Sequence, residues 1–196
     1  MNILKRLFIP FCLLVLPSLA LAVNADVLLE NLSEQLPYLF KLVSGFSYLD
    51  GAFFMIGGLH KLKEYGQSQG MGGGSKGEMK TCLSYLIIGS MLIYLPSIKN
   101  VLLDSVFGSN TISPYVGYAD DSGSAVNVMG QDIVNIVEFL GFIAFIRSFF
   151  LFHRVGLGQA QQGTFNKGVT HLLGGVIAMN VMGFIHIVDV TLGISG

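Results

Sequence analysis

Residues 73–77 read Gly-Gly-Ser-Lys-Gly, the G-x-S-x-G spacing that presents a serine nucleophile in many hydrolases, and the glycines ahead of Ser75 and Lys76 also have the outline of a phosphate cradle. Neither chemistry is completed by the neighbouring residues. A Walker A loop places Ser or Thr directly after its lysine so that a hydroxyl meets magnesium, whereas here Ser75 precedes Lys76 and Gly77 follows. A nucleophile elbow needs a strand before its serine, a helix after it, and Asp and His partners later in a soluble α/β chain. Neither a strand nor a catalytic partner flanks residues 73–77, so nucleophilic catalysis at Ser75 is not expected.

A second group of residues matters because of where it falls. Asp50, Glu138, Arg147, Asn180 and His186 interrupt long apolar runs, and a charge at the centre of a membrane helix costs ~2.5–3.5 kcal/mol unless partnered or hydrated. Counting ~1.5 Å of rise per residue from the basic ends of those runs brings Asp50 level with Asn180 and sets Glu138 beside His186 near the opposite edge. Two interhelical pairs, Asp50–Asn180 and Glu138–His186, are the expectation. Arg147 lies nearer the basic edge, where its long side chain snorkels to lipid phosphates. For Asp50 the choice is between a proton relay and a hydrogen bond to another helix or partner subunit, and the lack of a second acid at its depth favours the bond. His171 and His186 fall on opposite sides, which leaves no four-ligand metal site. Cys12 lies in the N-terminal apolar stretch, so Cys82 stands alone without the partners of a disulfide, zinc or iron–sulfur site. No cofactor and no metal are expected.

The elements that must carry these residues follow from composition. Of 196 residues, 52% are hydrophobic and 12% charged, and the mean hydropathy is +0.66, a balance suited to lipid rather than to water. A net charge of −1 without aromatics interleaved among Lys and Arg argues against direct sequence-specific nucleic-acid binding. The first residues, with Lys5 and Arg6, an apolar run over 7–21 and Ala20-Leu21-Ala22, have the form of a secretory signal cleaved after residue 22, or alternatively after 25; an uncleaved first membrane helix is the competing reading.

Four further apolar segments, about 38–59, 83–103, 133–152 and 169–194, each match the ~20 residues that cross ~30 Å of hydrocarbon. They imply an all-α membrane protein of two tandem helical hairpins, 23–103 and 133–196, joined by a connection over 104–132. Small residues recur in them, as in Gly174-x-x-x-Ala178, Ala144-x-x-x-Ser148 and the doublets Gly57-Gly58 and Gly174-Gly175, and such residues let membrane helices approach closely. The hairpin loops, about 60–82 and 153–168, hold Lys61, Lys63, Lys76, Lys80, Arg154 and Lys167. The N-terminal flank and the middle connection are acidic and almost free of cations. By the positive-inside rule both loops face the cytoplasm, and the termini and middle connection face the periplasm. The 105–131 stretch, rich in Ser, Gly, Asn and Asp, is long enough to serve as a periplasmic contact surface.

Sliding the chain by 91 residues brings FMIGGLHKLKEYGQSQGMGGGSKG onto FIRSFFLFHRVGLGQAQQGTFNKG, so that Phe54 meets Phe145, Lys63 meets Arg154 and Lys76-Gly77 meets Lys167-Gly168. On that reading 70–80 is the inner loop of one hairpin: its glycines give a flexible turn and its lysines hold it beside anionic lipid. The other copy has Asn166 where this one has Ser75.

A signal followed by helical hairpins with short basic inner loops is similar to pilin-like subunits of type IV secretion machines. With LKEYGQSQGMGGGSKGEMKTCLSYLIIGSMLIYLPS in one half and HRVGLGQAQQGTFNKGVTHLLGGVIAMNVMGFIHI in the other, the chain resembles the IcmC/DotE family of Dot/Icm type IVB secretion systems, relatives of conjugation membrane proteins. The resemblance implies a non-enzymatic inner-membrane component of an apparatus exporting effector proteins. Its implied partners are other inner-membrane secretion subunits, possible further copies of itself and the bilayer. The other functional class left open is a small ion- or proton-coupled transporter using Asp50 and Glu138.

Overall fold

A computed structural model describes residues 25–70, 76–109, 111–113 and 125–193, and every regular element among them is a helix. In chain order these are α1 (Ala25–Gly70), α2 (Lys76–Ile93), α3 (Leu95–Phe107), α4 (Ala125–Gly156), α5 (Thr164–Met179) and α6 (Val181–Leu192). The signal reading over 1–22, and Ser75 with most of its glycine loop, lie outside the described residues.

Helices α1 and α4 are each long and apolar enough to cross a membrane, and the count rises to four if α2 with α3, and α5 with α6, each form one bent span. The expected first segment, 38–59, is only the middle of α1. Its charged flanks end the hydropathy signal but not the helix, because Glu, Lys, Leu and Gln are all good helix formers and Lys61 Nζ pairs with Glu64 Oε2 at 3.0 Å one turn on. Likewise α4 begins at Ala125, so the last part of the expected 104–132 connection is helical.

Two expected spans are broken rather than straight. Segment 83–103 bends by 82° at Tyr94 and segment 169–194 by 87° at Asn180. Pro96, in the first turn of α3, has no N–H to continue the α2 ladder, and a proline ring collides with the carbonyl four residues back. At the second break Asn180 leaves helical geometry (φ −137°, ψ 58°) and its Oδ1 accepts the Gly183 N–H at 3.2 Å, capping α6. Hydropathy alone registers neither event, since both breaks sit within continuous apolar sequence.

Consecutive helices pack as antiparallel pairs. Along α1 the contacts descend from Gly58 to Gly51 while along α2 they ascend from Leu86 to Ile93. At Gly51 an added Cβ would sit 2.9 Å from the Gly89 carbonyl oxygen, and at Gly175 one would sit 2.8 Å from that of Gly141, so only glycine permits these backbone approaches. Of the small-residue pairs read from sequence, Ala178 meets Gly141 and Ser148 is fully buried, but Gly174 faces open space and its neighbour Gly175 makes the contact.

The two pairs repeat a plan. In each, the glycine of the outgoing helix that meets backbone (Gly89, Gly175) lies five residues before the break (Tyr94, Asn180). These positions are 86 apart, whereas Gly51 and Gly141 on the incoming helices are 90 apart, so the 91-residue shift fits the incoming helices and slips by more than a turn on the outgoing ones. Aromatic contacts set the pairs' relative direction: Phe40 of α1 meets Phe139 and Phe142 of α4 (centroids 5.1 and 5.3 Å), and Phe54 meets Phe150 and His153 (5.9 and 4.4 Å). Helices α1 and α4 therefore run parallel. The C-terminal end of α1, the start of α2 and the 157–163 turn fall at one end of the bundle, which we call the turn end, and both breaks fall at the other, which we call the far end. The core between them holds Leu92, Leu95, Leu103, Phe145, Phe149 and Met179.

Candidate functional site

Three polar assemblies stand out against this apolar frame. The first is at the far end, where α1, α3 and α4 line an open cavity of about 470 Å³. Phe40 and Phe142 supply apolar wall, and the bend at Tyr94 delivers Pro96 and Lys99 to the rim. Lys41, Lys99 and Glu138 line it together. Lys99 and Glu138 face this shared space without forming an ion pair. Ser44 and Tyr48, from the same face of α1 as Lys41, add hydroxyl groups. Lys41 also leans on the Tyr38 ring, Nζ 5.9 Å from its centroid.

Nearer the turn end, His153 is buried where α1, α2 and α4 converge. Its ring stacks on Phe54 (4.4 Å, 26° between planes) and meets Tyr85 edge-on (4.4 Å, 78°), and Ser84 Oγ lies 3.3 Å from Nδ1. The same hydroxyl is 3.4 Å from the His153 carbonyl oxygen, and Gly156, one turn along, leaves room for it. Sequence reading assigned His153 to a basic loop. It is instead an interior residue of α4, 7% exposed. A serine beside a histidine raises the question of a hydrolytic pair, but the ring's neighbours are a hydroxyl and two aromatic rings, with no carboxylate to orient it. The geometry is that of an interhelical hydrogen bond, satisfied as a buried polar group must be.

The third assembly joins the middle connection to the second break. Asn180, 1% exposed, accepts from the Ser113 backbone N–H at 3.0 Å as well as from Gly183, so part of the connection is fastened to the bundle. Further along, Asn135 Nδ2 donates to Ser33 Oγ and Gln131 Nε2 to Asn135 Oδ1, each at 2.9 Å, tying α4 to the start of α1.

The residues singled out by sequence are distributed differently from the expected pairs. Asp50 is exposed on α1, and Asn180 is occupied by backbone donors, so an Asp50–Asn180 pair does not form. His186 is exposed on α6, while Glu138 faces the Lys41–Lys99 cavity; the Glu138–His186 pair is absent as well. For His186 the reason is the 87° bend, which carries α6 away from the direction in which the depth count assumed the helix continued; for Asp50 it is that α1 packs chiefly on α2 and α4 and turns Asp50 outward. Arg147 is exposed on α4. At the turn end Lys63, Lys80, Arg154 and Lys167 are all exposed, and Lys76 is the first residue of α2. Lys80 borders an open apolar groove of about 450 Å³ between α2, α4 and α5, lined by Leu83, Ile87, Phe152 and Phe165. Among the described residues no three His, Cys, Asp or Glu side chains gather as a metal site.

Lys41 and Lys99 were missed because each reads singly as a flank charge. The signal available was that both interrupt apolar sequence at the end opposite the basic loops. No protein-family model, curated protein or solved structure matches the chain.

Proposed function

We propose that this chain is a structural subunit of the bacterial inner membrane, working by packing against other membrane subunits in a type IVB secretion or conjugation apparatus. The observation that carries the reading is the bare face of α1. Leu42, Phe46, Leu49, Phe53 and Ile56, spaced three or four residues apart, are 55–70% exposed, while the opposite side of the same helix is tightly joined to α2 through Gly51 and Gly58. A long apolar helix covered on one side only is suited to being completed by a neighbour's helix in the bilayer. The sequence resemblance to IcmC/DotE proteins supplies the apparatus. The clustered cations at the turn end support a cytoplasmic placement of both turns by the positive-inside rule.

The transporter alternative requires Asp50 and Glu138 to share a path, and Asp50 does not line the Glu138 cavity. Site-specific photocrosslinking from Leu49 and Phe53 in secreting cells tests the main reading. Crosslinks to membrane proteins encoded with a secretion apparatus are expected at both positions. Adducts to lipid alone at both would overturn it. Asp50→Asn separates the classes further: secretion should persist with the complex intact, and loss of flux from an intact complex would favour the relay.

A further inference from the structure

The far-end cavity has a charge pattern that the packing role does not use. Lys41 and Lys99 line one cavity with a single carboxylate, Glu138, and Lys99 and Glu138 are half-buried without closing into an ion pair. In a low-dielectric setting, opposite charges near one another gain from contact. Charges held apart across a cavity of about 470 Å³, well within the ~300–1,000 Å³ of small-molecule sites, are complementary to a guest carrying both signs.

The position of the cavity specifies the kind of guest. On α1, Lys41 lies twenty residues before Lys61, so at ~1.5 Å each the cavity is ~30 Å from the basic turn end, the thickness of a hydrocarbon core. Lys99 follows the bend by five residues. The cavity thus opens at headgroup level in the leaflet away from the turns. Below the charges its walls are Phe40 and Phe142. At Gly45, which also lines the cavity, nothing lies within 4 Å of where a Cβ would be, so a lateral exit leads onto the exposed apolar face of α1 at Leu42 and Phe46.

We propose that this cavity binds an aminophospholipid of the phosphatidylethanolamine class, its phosphate between Lys41 and Lys99, its primary ammonium on Glu138, and an acyl chain leaving past Gly45. Two lysines match a phosphate, which accepts charge-assisted hydrogen bonds at several oxygens. One carboxylate matches an ammonium with three N–H donors. A quaternary choline has none of those donors, and a glycerol headgroup has no cation. The hydroxyls of Ser44 and Tyr48 add donors to the phosphate side. The bound lipid would fill the angle between α1 and α3 and hold the 82° bend at the membrane surface.

This inference rests on the membrane reading, and the test separates the two. The full chain is first washed with alkaline carbonate in isolated membranes; release from the membrane overturns both. The integrated protein is then purified and equilibrated with micelles holding equal amounts of phosphatidylethanolamine, phosphatidylglycerol and phosphatidylcholine, and retained lipid is read by native mass spectrometry. The wild type is expected to retain phosphatidylethanolamine about tenfold over each of the others, the ratio for one charge-assisted contact of ~1.4 kcal/mol. Glu138→Gln, nearly isosteric, should lose that preference and favour phosphatidylglycerol. Lys99→Gln should lower retention of all three. Equal retention by the wild type, a wild-type preference for another headgroup, or an unchanged preference in Glu138→Gln overturns the site while leaving the membrane reading intact. An excess of soluble glycerophosphoethanolamine should fail to displace the lipid; displacement would overturn the part assigned to the acyl chain.

Discussion

The two longest helices have nearly opposite surroundings. Helix α4 buries Phe142, Phe145, Ile146 and Phe149 and packs against α1, α2 and α5. Helix α1, of similar apolar character, presents Tyr38, Phe46, Leu49 and Phe53 outward. Both meet their following helix through glycine, so the difference is not in how the pairs close but in what lies on the other side. Helix α4 thus organises the fold, and α1 is the side available to something else, whether lipid or another subunit. Hydrophobicity cannot separate the two roles, because in a bilayer both faces are comfortable with apolar side chains.

The comparison breaks most readily at α4. Gly141→Leu would set a Cβ 2.7 Å from the Met179 backbone nitrogen and 2.8 Å from Ala178 Cβ, and because a backbone cannot yield as a side chain does, a loss of about 3 kcal/mol is expected in equilibrium unfolding from mixed micelles. Asn180→Leu removes the acceptor of two backbone N–H groups and should cost about 2 kcal/mol, with increased amide exchange at Ser113 and Gly183. His153→Phe keeps the aromatic contacts with Phe54 and Tyr85 and the backbone acceptor for Ser84 but removes the Nδ1 contact, for about 1 kcal/mol by the same assay. Leu49→Ala, on the bare face of α1, should leave monomer stability within about 0.5 kcal/mol while weakening any crosslink to a partner subunit. A stability loss at Leu49 as large as that at Gly141 would erase the distinction between the two helices.

Helical class and apolar spans were legible in the sequence because they depend on composition and run length. The bends were not, although their causes are single residues in plain view. Pro96 reads as a tolerated membrane proline until its place in the first turn of α3 is known, and Asn180 reads as an intramembrane polar group until Gly183 and Ser113 are seen to donate to it. Depth counting assumes straight helices and is blind to which helices touch, so the Glu138–His186 pair failed at the second bend and the Asp50–Asn180 pair because α1 packs on α2 and α4. The far-end cavity required the first bend to bring Lys99 to Glu138, a juxtaposition of residues 39 apart that no local pattern encodes. Lys63, Arg154 and Lys167 are exposed at one end, but each lies in a helix (α1, α4 and α5) where a loop was expected, because charged residues end an apolar run without ending a helix.

The proposed function requires above all that both turns lie on the cytoplasmic side of the membrane. Cys82 is 2% exposed and therefore silent to any thiol reagent whatever its side, so the test needs cysteines at exposed positions. Met79→Cys and Lys167→Cys report on the two turns, and Asp104→Cys on the far end. In intact spheroplasts a membrane-impermeant maleimide should label Asp104→Cys alone, with the two turn positions reacting only after permeabilisation. Labelling of Lys167→Cys or Met79→Cys in intact spheroplasts would contradict the account.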